Sequence, residues 1–359
     1  MLVKHLEKFF YKFIIFYNCN NIIDYRTINI GVNKEMKEYM NNILKLLNQK
    51  IRSIVLSHLN IIENDAFELR LRVGSPLSTK CISGSFFLDF NRKTSQIATD
   101  YYLISKKDIE ETISNLTLNS IHAFEKEIQH GYITIEGGHR VGLCGDCIYN
   151  HDDFKGFKNI SSLNIRIARE HRGCSKEFMK YIINNSGSIY NTLIIGPPLS
   201  GKTTFLRDIA ANLSDGLNEP YFPGCDLTII DERGEISAPY NGINQMYVGK
   251  RTDVLSYCMK SDGFMMSIRA MAPKAIISDE LGTRDDFETV RYALKSGVSI
   301  ISTAHGFDIE DIRKNIYLKE IVENNFFDRI VTLAMGKKPS TVRRIYDISK
   351  ESTIYDIKN

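Results

Sequence analysis

The sequence predicts an α/β protein of two domains, in which a C-terminal domain with a mostly parallel, helix-covered sheet follows a mixed α+β N-terminal domain. Three observations predict it. Beyond residue 188, four short apolar runs (192–195, 227–230, 275–278 and 298–302) alternate with amphipathic helical patterns, as in a parallel sheet with helical crossovers. The first run leads into Gly196-Pro197-Pro198-Leu199-Ser200-Gly201-Lys202-Thr203, which fits G-x-x-x-x-G-K-[ST] and opens a helical run. Upstream, Asn184-Asn185-Ser186-Gly187-Ser188 clusters turn formers and marks a boundary or hinge.

In chain order, residues 1–35 read as an N-terminal extension. The apolar stretch 9–16 contains Lys12 and runs into Asn18, Asn20 and Asn21, far short of the roughly 20 apolar residues that a membrane span needs. No small-residue cleavage site of a secretory leader follows it. From Met36, apolar residues recur at helical spacing (Met40, Ile43, Leu46, Leu47, Ile51, Ile54, Val55) and open the first domain, 36–183. Between 67 and 90, β-prone runs are punctuated by Gly74, Ser75, Pro76 and Gly84, and a further run at 132–135 meets Gly137-Gly138. The second domain is 184–359.

Composition excludes several classes. Hydrophobic residues at 43% and charged residues at 25% suit a globular protein rather than a disordered or membrane-embedded one. A formal charge of +3, from 46 basic against 43 acidic residues, makes nucleic acid an improbable partner, since a clustered basic surface is expected there. Seven cysteines, an odd and scattered set, fit reduced thiols and a cytoplasmic location. Cys144-Gly145-Asp146-Cys147 has the spacing of a zinc knuckle, but no second pair follows and His151 is a poor substitute.

The glycines at 196 and 201 let backbone N–H groups turn toward phosphate oxygens, and the following helix adds its positive N-terminal dipole. Lys202 reaches for the β- and γ-phosphates of ATP, and the Thr203 hydroxyl takes a place on Mg2+. Thr204 completes the loop as a helix residue. Residues 275–278 then deliver Asp279 and Glu280 to a strand end, where parallel sheets present ligand groups. Asp279 suits magnesium, directly or through water, and Glu280 suits polarisation of the attacking water.

Two more strand ends carry polar groups. Asp231-Glu232-Arg233-Gly234-Glu235 brings three carboxylates and one arginine to a second strand end, where Asp231, Glu232, Arg233 and Glu235 could position water, metal or a neighbouring subunit's phosphate. Ser302-Thr303-Ala304-His305-Gly306 places His305 on the same edge, suited to sensing the γ-phosphate.

Five segments together resemble the stage III sporulation protein AA family, relatives of the ATPases that drive type II and type IV secretion: 196–210, 229–236, 249–255, 278–283 and 302–306. Outside these, 67–77, 131–145 and 161–170 carry the resemblance into the N-terminal half. Gly234 and Ser278 depart from it, standing where a serine and an aliphatic residue are expected. The resemblance implies a RecA-like P-loop ATPase domain and a hexameric ring with ATP sites near subunit interfaces. It further implies membrane-protein partners of a sporulation channel and a peripheral place on the mother-cell side of the membrane around the forespore. Among matched positions, His139, Arg140, Arg166 and Arg169 are the ones expected to face nucleotide or a neighbouring subunit. Arg233, then Arg251, Arg166 and Arg169, are candidates for an arginine acting in trans. Two other readings compete: a nucleic-acid-associated P-loop ATPase, and an ATP-binding assembly switch, against which Glu280 speaks because a switch needs no water-activating base.

Overall fold

The computed structural model describes residues 38–81, 83–91, 94–97, 101–129, 131–151, 153–335 and 339–357. The extension 1–35 lies outside them. The chain divides into units 1–41 and 42–359, and of the first only 38–41 are described, the opening of the helix Glu38–Leu46.

Within the second unit, an antiparallel sheet of seven strands comes first: β1 (Ala66–Arg72), β2 (Ser78–Cys81), β3 (Gly84–Leu88), β4 (Thr94–Ser95), β5 (Tyr132–Thr134), β6 (Arg140–Asn150) and β7 (Asp153–Arg166), ordered β4-β3-β2-β1-β7-β6-β5. Its helix Lys106–Leu116 starts with a capping box in which Ser105 and Asp108 satisfy each other's backbone amides.

The turn cluster at 184–188 folds as a closed loop. Asn184 Oδ1 accepts from the amides of Ser186 and Ser188 and from the Ser186 hydroxyl.

The second sheet holds β8 (Thr192–Gly196), β9 (Leu227–Asp231), β12 (Thr252–Ser256), β13 (Ala275–Glu280), β14 (Ser299–His305), β15 (Arg329–Leu333), β16 (Val342–Asp347) and β17 (Ser352–Asp356), ordered β12-β9-β13-β14-β8-β15-β16-β17. A two-stranded ribbon, β10 (Pro239–Tyr240) and β11 (Ile243–Asn244), lies between β9 and β12 in the chain. Strands β12 to β15 pair in parallel, while β16 and β17 extend the sheet antiparallel, so it is mixed.

Alternation along the parallel strands feeds two cores. Ile194, Ile229, Ile277 and Ile301 pack with Phe205, Leu206 and Ile209 of the helix Lys202–Asp215. Leu193, Ile195, Ile230, Ile276 and Ile300 meet Phe264, Val290 and Leu318 from helices on the other face. With both faces covered, β8, β9, β13 and β14 are buried along most of their length, and their carboxyl ends share one edge.

Candidate active site

At the end of β8 the chain curls before entering the helix Lys202–Asp215. Leu199 and Gly201 have φ of 65° and 89°, and a Cβ on Gly201 would lie 2.5 Å from Ser340 N. Only glycine fits there. Ser340 buttresses the loop, its amide donating to Ser200 O at 2.7 Å and its hydroxyl to Gly201 O at 3.0 Å. Lys202 Nζ donates to Gly196 O at 2.8 Å and Pro197 O at 3.3 Å. Burial holds its pKa below the usual lysine value, partly offset by the Glu280 carboxylate. The buried Ser200 hydroxyl has no hydrogen-bond partner among the described residues, leaving a polar atom inside the curl.

Across from the loop, the strand-end acids already have side-chain partners. Glu280 Oε1 lies 3.0 Å from His305 Nε2, bringing together two residues that the sequence offered separately. Asp279 Oδ1 faces Lys260 Nζ at 3.2 Å. Burial pushes the Asp279 carboxyl up to about 6, with Lys260 opposing and Asp231 and Glu232 reinforcing. Lys260 also holds Glu232 Oε2 at 2.7 Å and lies 3.7 Å from Asp286 Oδ1. Its own pKa stands above the ordinary value because these carboxylates outweigh its burial.

Asp231 is fully buried and accepts from the amides of Glu235, Ile236 and Ser237 and from the Ser237 hydroxyl. It is the anchor of the 231–237 loop and has no oxygen to spare for a ligand. Arg207 pins the same loop by donating to the carbonyls of Ile236 and Glu235. From the first sheet, Arg140 binds Glu235 Oε1 at 2.7 Å and the Arg233 carbonyl, stacked 4.6 Å above the Tyr132 ring. The Tyr132 hydroxyl donates to that carbonyl as well, at 3.2 Å. Glu232 and Glu235 therefore pair with Lys260 and Arg140, and neither pairs with Arg233. The exposed Arg233 side chain makes no ion pair among the described residues.

A cleft of about 930 Å³ joins these parts. Gly201, Lys202, Thr203 and Thr204 line it together with Glu232, Arg233, Glu235, Asp279, Glu280 and His305. Pro198 and Leu199 also line it, while Gly196, Pro197 and Ser200 belong to the loop without lining the cleft. Arg140 and Arg166 line it from the first sheet, and Arg169 from the segment after β7.

Of the other candidates, His139, Arg169 and Arg251 are corrected. His139 is fully buried and its Nδ1 accepts the Ala168 amide at 3.0 Å, so it braces backbone instead of facing nucleotide. Arg169 spends its guanidinium on the carbonyls of Ile62, Asn64 and Ala66. Arg251 precedes β12 at the opposite sheet edge, donating to Ser214 O. Arg166 is exposed and has no side-chain partner among the described residues. Cys144 and Cys147 are exposed on β6, and no group of three or more metal-binding side chains gathers among the described residues.

The donor set fits ATP and Mg2+. The curled loop has a glycine cradle, and the Thr203 hydroxyl and Asp279 carboxylate offer the oxygens that a hard divalent cation prefers.

Comparison with known proteins places this architecture. Residues 36–353 match the family model for sporulation stage III, protein AA. The chain belongs to that family. It is 41% identical over 282 residues to stage III sporulation protein AA of Bacillus subtilis (strain 168), covering 78% of this chain and 86% of that one. It is also 28% identical over 190 residues to protein SEEDLING PLASTID DEVELOPMENT 1 of Arabidopsis thaliana, covering 52% of this chain and 25% of that one. Among solved structures, the Yersinia pseudotuberculosis ATPase DotB aligns with a TM-score of 0.52 at 13% identity, over 83% of this chain and 76% of that one. A P-loop ATPase-like α/β fold is shared.

Both departures from the stage III AA pattern have local compensation. Gly234 has φ of 63°, and a Cβ there would sit 2.9 Å from the Tyr257 ring, so glycine lets that ring close on the loop. Ser278 lies fully buried against Ser302, Oγ to Oγ at 2.9 Å, and Ser302 donates onward to Asp279 O at 2.6 Å. The polar atom in the strand is thereby satisfied.

Sequence reasoning missed Lys260, Arg207 and Ser340. Lys260 and Ser340 lie outside every segment singled out in the sequence, Arg207 lies inside 196–210 without a ligand role there, and each reaches the site through tertiary contacts.

Proposed function

We propose that this chain is the ATP-hydrolysing motor of a sporulation channel between mother cell and forespore. The observation that carries the reading is the convergence, on one cleft, of the phosphate loop, Asp279 and the Glu280–His305 pair. Thr203 and Asp279 would hold Mg2+, which when bound neutralises phosphate charge. Lys202 and the loop amides bind the polyphosphate, and Glu280 orients water and accepts its proton, with His305 fixing the carboxylate. Arg233, exposed on the cleft and unpaired, is the first candidate to complete a neighbouring subunit's site in a ring, and Arg166 the second. Among the described residues no helix is long and apolar enough to cross a membrane, and the proposed attachment to the mother-cell face is peripheral, through channel proteins.

Two experiments test this. Glu280→Gln is expected to bind ATP normally while hydrolysis falls roughly 100-fold, the usual scale for losing a general base. Unchanged turnover would remove Glu280 from the role. Mixing Lys202→Ala with Arg233→Ala protein is expected to restore hydrolysis above either variant, since some interfaces then hold both intact parts. No restoration in demonstrated hetero-oligomers would mean that Arg233 acts within its own subunit or is structural.

A further inference from the structure

We propose that Lys260 is a positioning residue of this site, a built-in counter-ion that shares Asp279 with the divalent metal and ties metal binding to the Glu232 loop. The inference rests on the nucleotide-site reading above. Lys260 Nζ sits among three carboxylates, at 2.7 Å from Glu232, 3.2 Å from Asp279 and 3.7 Å from Asp286, with its side chain only 13% exposed. Three carboxylates against one ammonium leave two negative charges, the complement of one divalent cation.

The partners come from four separate elements. Glu232 follows β9, Lys260 opens the helix Lys260–Met266, Asp279 lies in β13, and Asp286 caps the helix Arg284–Lys295. Their freedom differs. Asp286 Oδ2 is committed to the Gly282 and Thr283 amides and the Thr283 hydroxyl. Among the described residues Asp279 has no side-chain hydrogen bond beyond the Lys260 contact, and Glu232 sits on a loop that Arg207 and Arg140 grip. When a metal draws on Asp279, the ammonium's remaining strong partner is Glu232. The charge of the metal site is thereby transmitted to the loop that bears Arg233 and is held by the first sheet. A compact ammonium on a flexible stem suits such sharing better than a guanidinium with fixed fork geometry.

A purely structural ion pair makes a different prediction, namely lost stability without a directed change in metal affinity. The test uses the full chain and its Lys260→Met, Lys260→Gln and Lys260→Arg variants. MgCl2 is titrated at a fixed concentration of a fluorescent ATP analogue, the analogue is also bound in EDTA, and thermal melting is followed in parallel. Removing a unit positive charge this close to Asp279 is expected to lower the Mg2+ half-saturation point roughly tenfold in the Met and Gln variants. Lys260→Arg, which keeps the charge, should stay within about threefold of wild type. An unchanged or raised half-saturation point in folded neutral variants, with analogue binding in EDTA intact, overturns the inference and leaves the nucleotide site standing. If both neutral variants fail to melt cooperatively, Lys260 is structural and the inference falls. If the wild type binds the analogue under neither condition, the nucleotide-site reading falls with it.

Discussion

Asp279 and Asp347 stand at opposite ends of the same sheet, and their surroundings differ in kind. Asp347 is 1% exposed; its Oδ1 accepts from the Ser349 hydroxyl and the Lys350 amide, and its Oδ2 faces Arg329 Nη1 at 3.0 Å. Burial alone would raise its pKa, but the Ser349 and Lys350 hydrogen bonds, with Arg329, hold it below the usual carboxylate value. Asp279 is also largely buried, yet among the described residues its side chain has only the Lys260 ammonium as a partner, and its pKa is pushed up to about 6 by burial. One aspartate has two hydrogen bonds on Oδ1 and a buried guanidinium facing Oδ2. The other is held at a cost, which is the pattern of a group built to meet a cation.

Removing the Asp347 charge should have the largest effect on stability. Asp347→Asn leaves Arg329 buried without its carboxylate, an expected loss of about 3–5 kcal/mol by chemical denaturation. Because the folded pKa is depressed, this stabilisation is present above the unfolded value and fades as pH falls through the folded one. The gap to wild type should therefore close below about pH 4. A gap unchanged at pH 3 would contradict the assignment.

Asp279→Asn should behave in the opposite way. Its folded pKa is raised, so the proton-linked stability of the wild type is fully present below about pH 4 and is lost as pH rises through about 6. The variant lacks that loss. It should be more stable than wild type at pH 8, by roughly 1–2 kcal/mol, and equal to it near pH 4, while hydrolysis disappears. Lower stability at pH 8 would show that Lys260 satisfies Asp279 fully and that the contrast between the two ends fails.

Ser278→Ala should give the smallest change, about 1 kcal/mol or less, because Ser302 keeps the carbonyls of Ser278 and Asp279 as acceptors. A loss above about 3 kcal/mol in thermal melts would mean that the serine pair holds the strand end in place.

Local pattern made half of this site legible. The phosphate loop, Asp279, Glu280 and His305 each follow an apolar run, and a parallel sheet delivers such run ends to one edge. What stayed hidden depends on contacts between distant segments: Lys260 meets Glu232, Arg207 meets the 235–236 carbonyls, and Ser340 meets Ser200. Sequence position alone also mistook anchors for ligands, as with Asp231, His139 and Arg169, whose polar atoms go to backbone groups. In the fold, the strand β15 went unread although all five of its residues are buried. The hairpin of β6 and β7 was missed because its long strands are largely exposed and interrupted by Gly142, Gly145 and Gly156, so no apolar alternation marks them.

The most direct test of the nucleotide site is titration of a fluorescent ATP analogue against wild-type and Lys202→Ala protein, with melting curves to confirm that both are folded. Lys202 is the cation nearest the curl of the loop, donating to Gly196 O and Pro197 O. Its loss should lower affinity by roughly 100-fold or more, since the phosphates lose their direct charged partner. Saturable wild-type binding that collapses in the variant is the predicted result; equal affinity in the two proteins would contradict it.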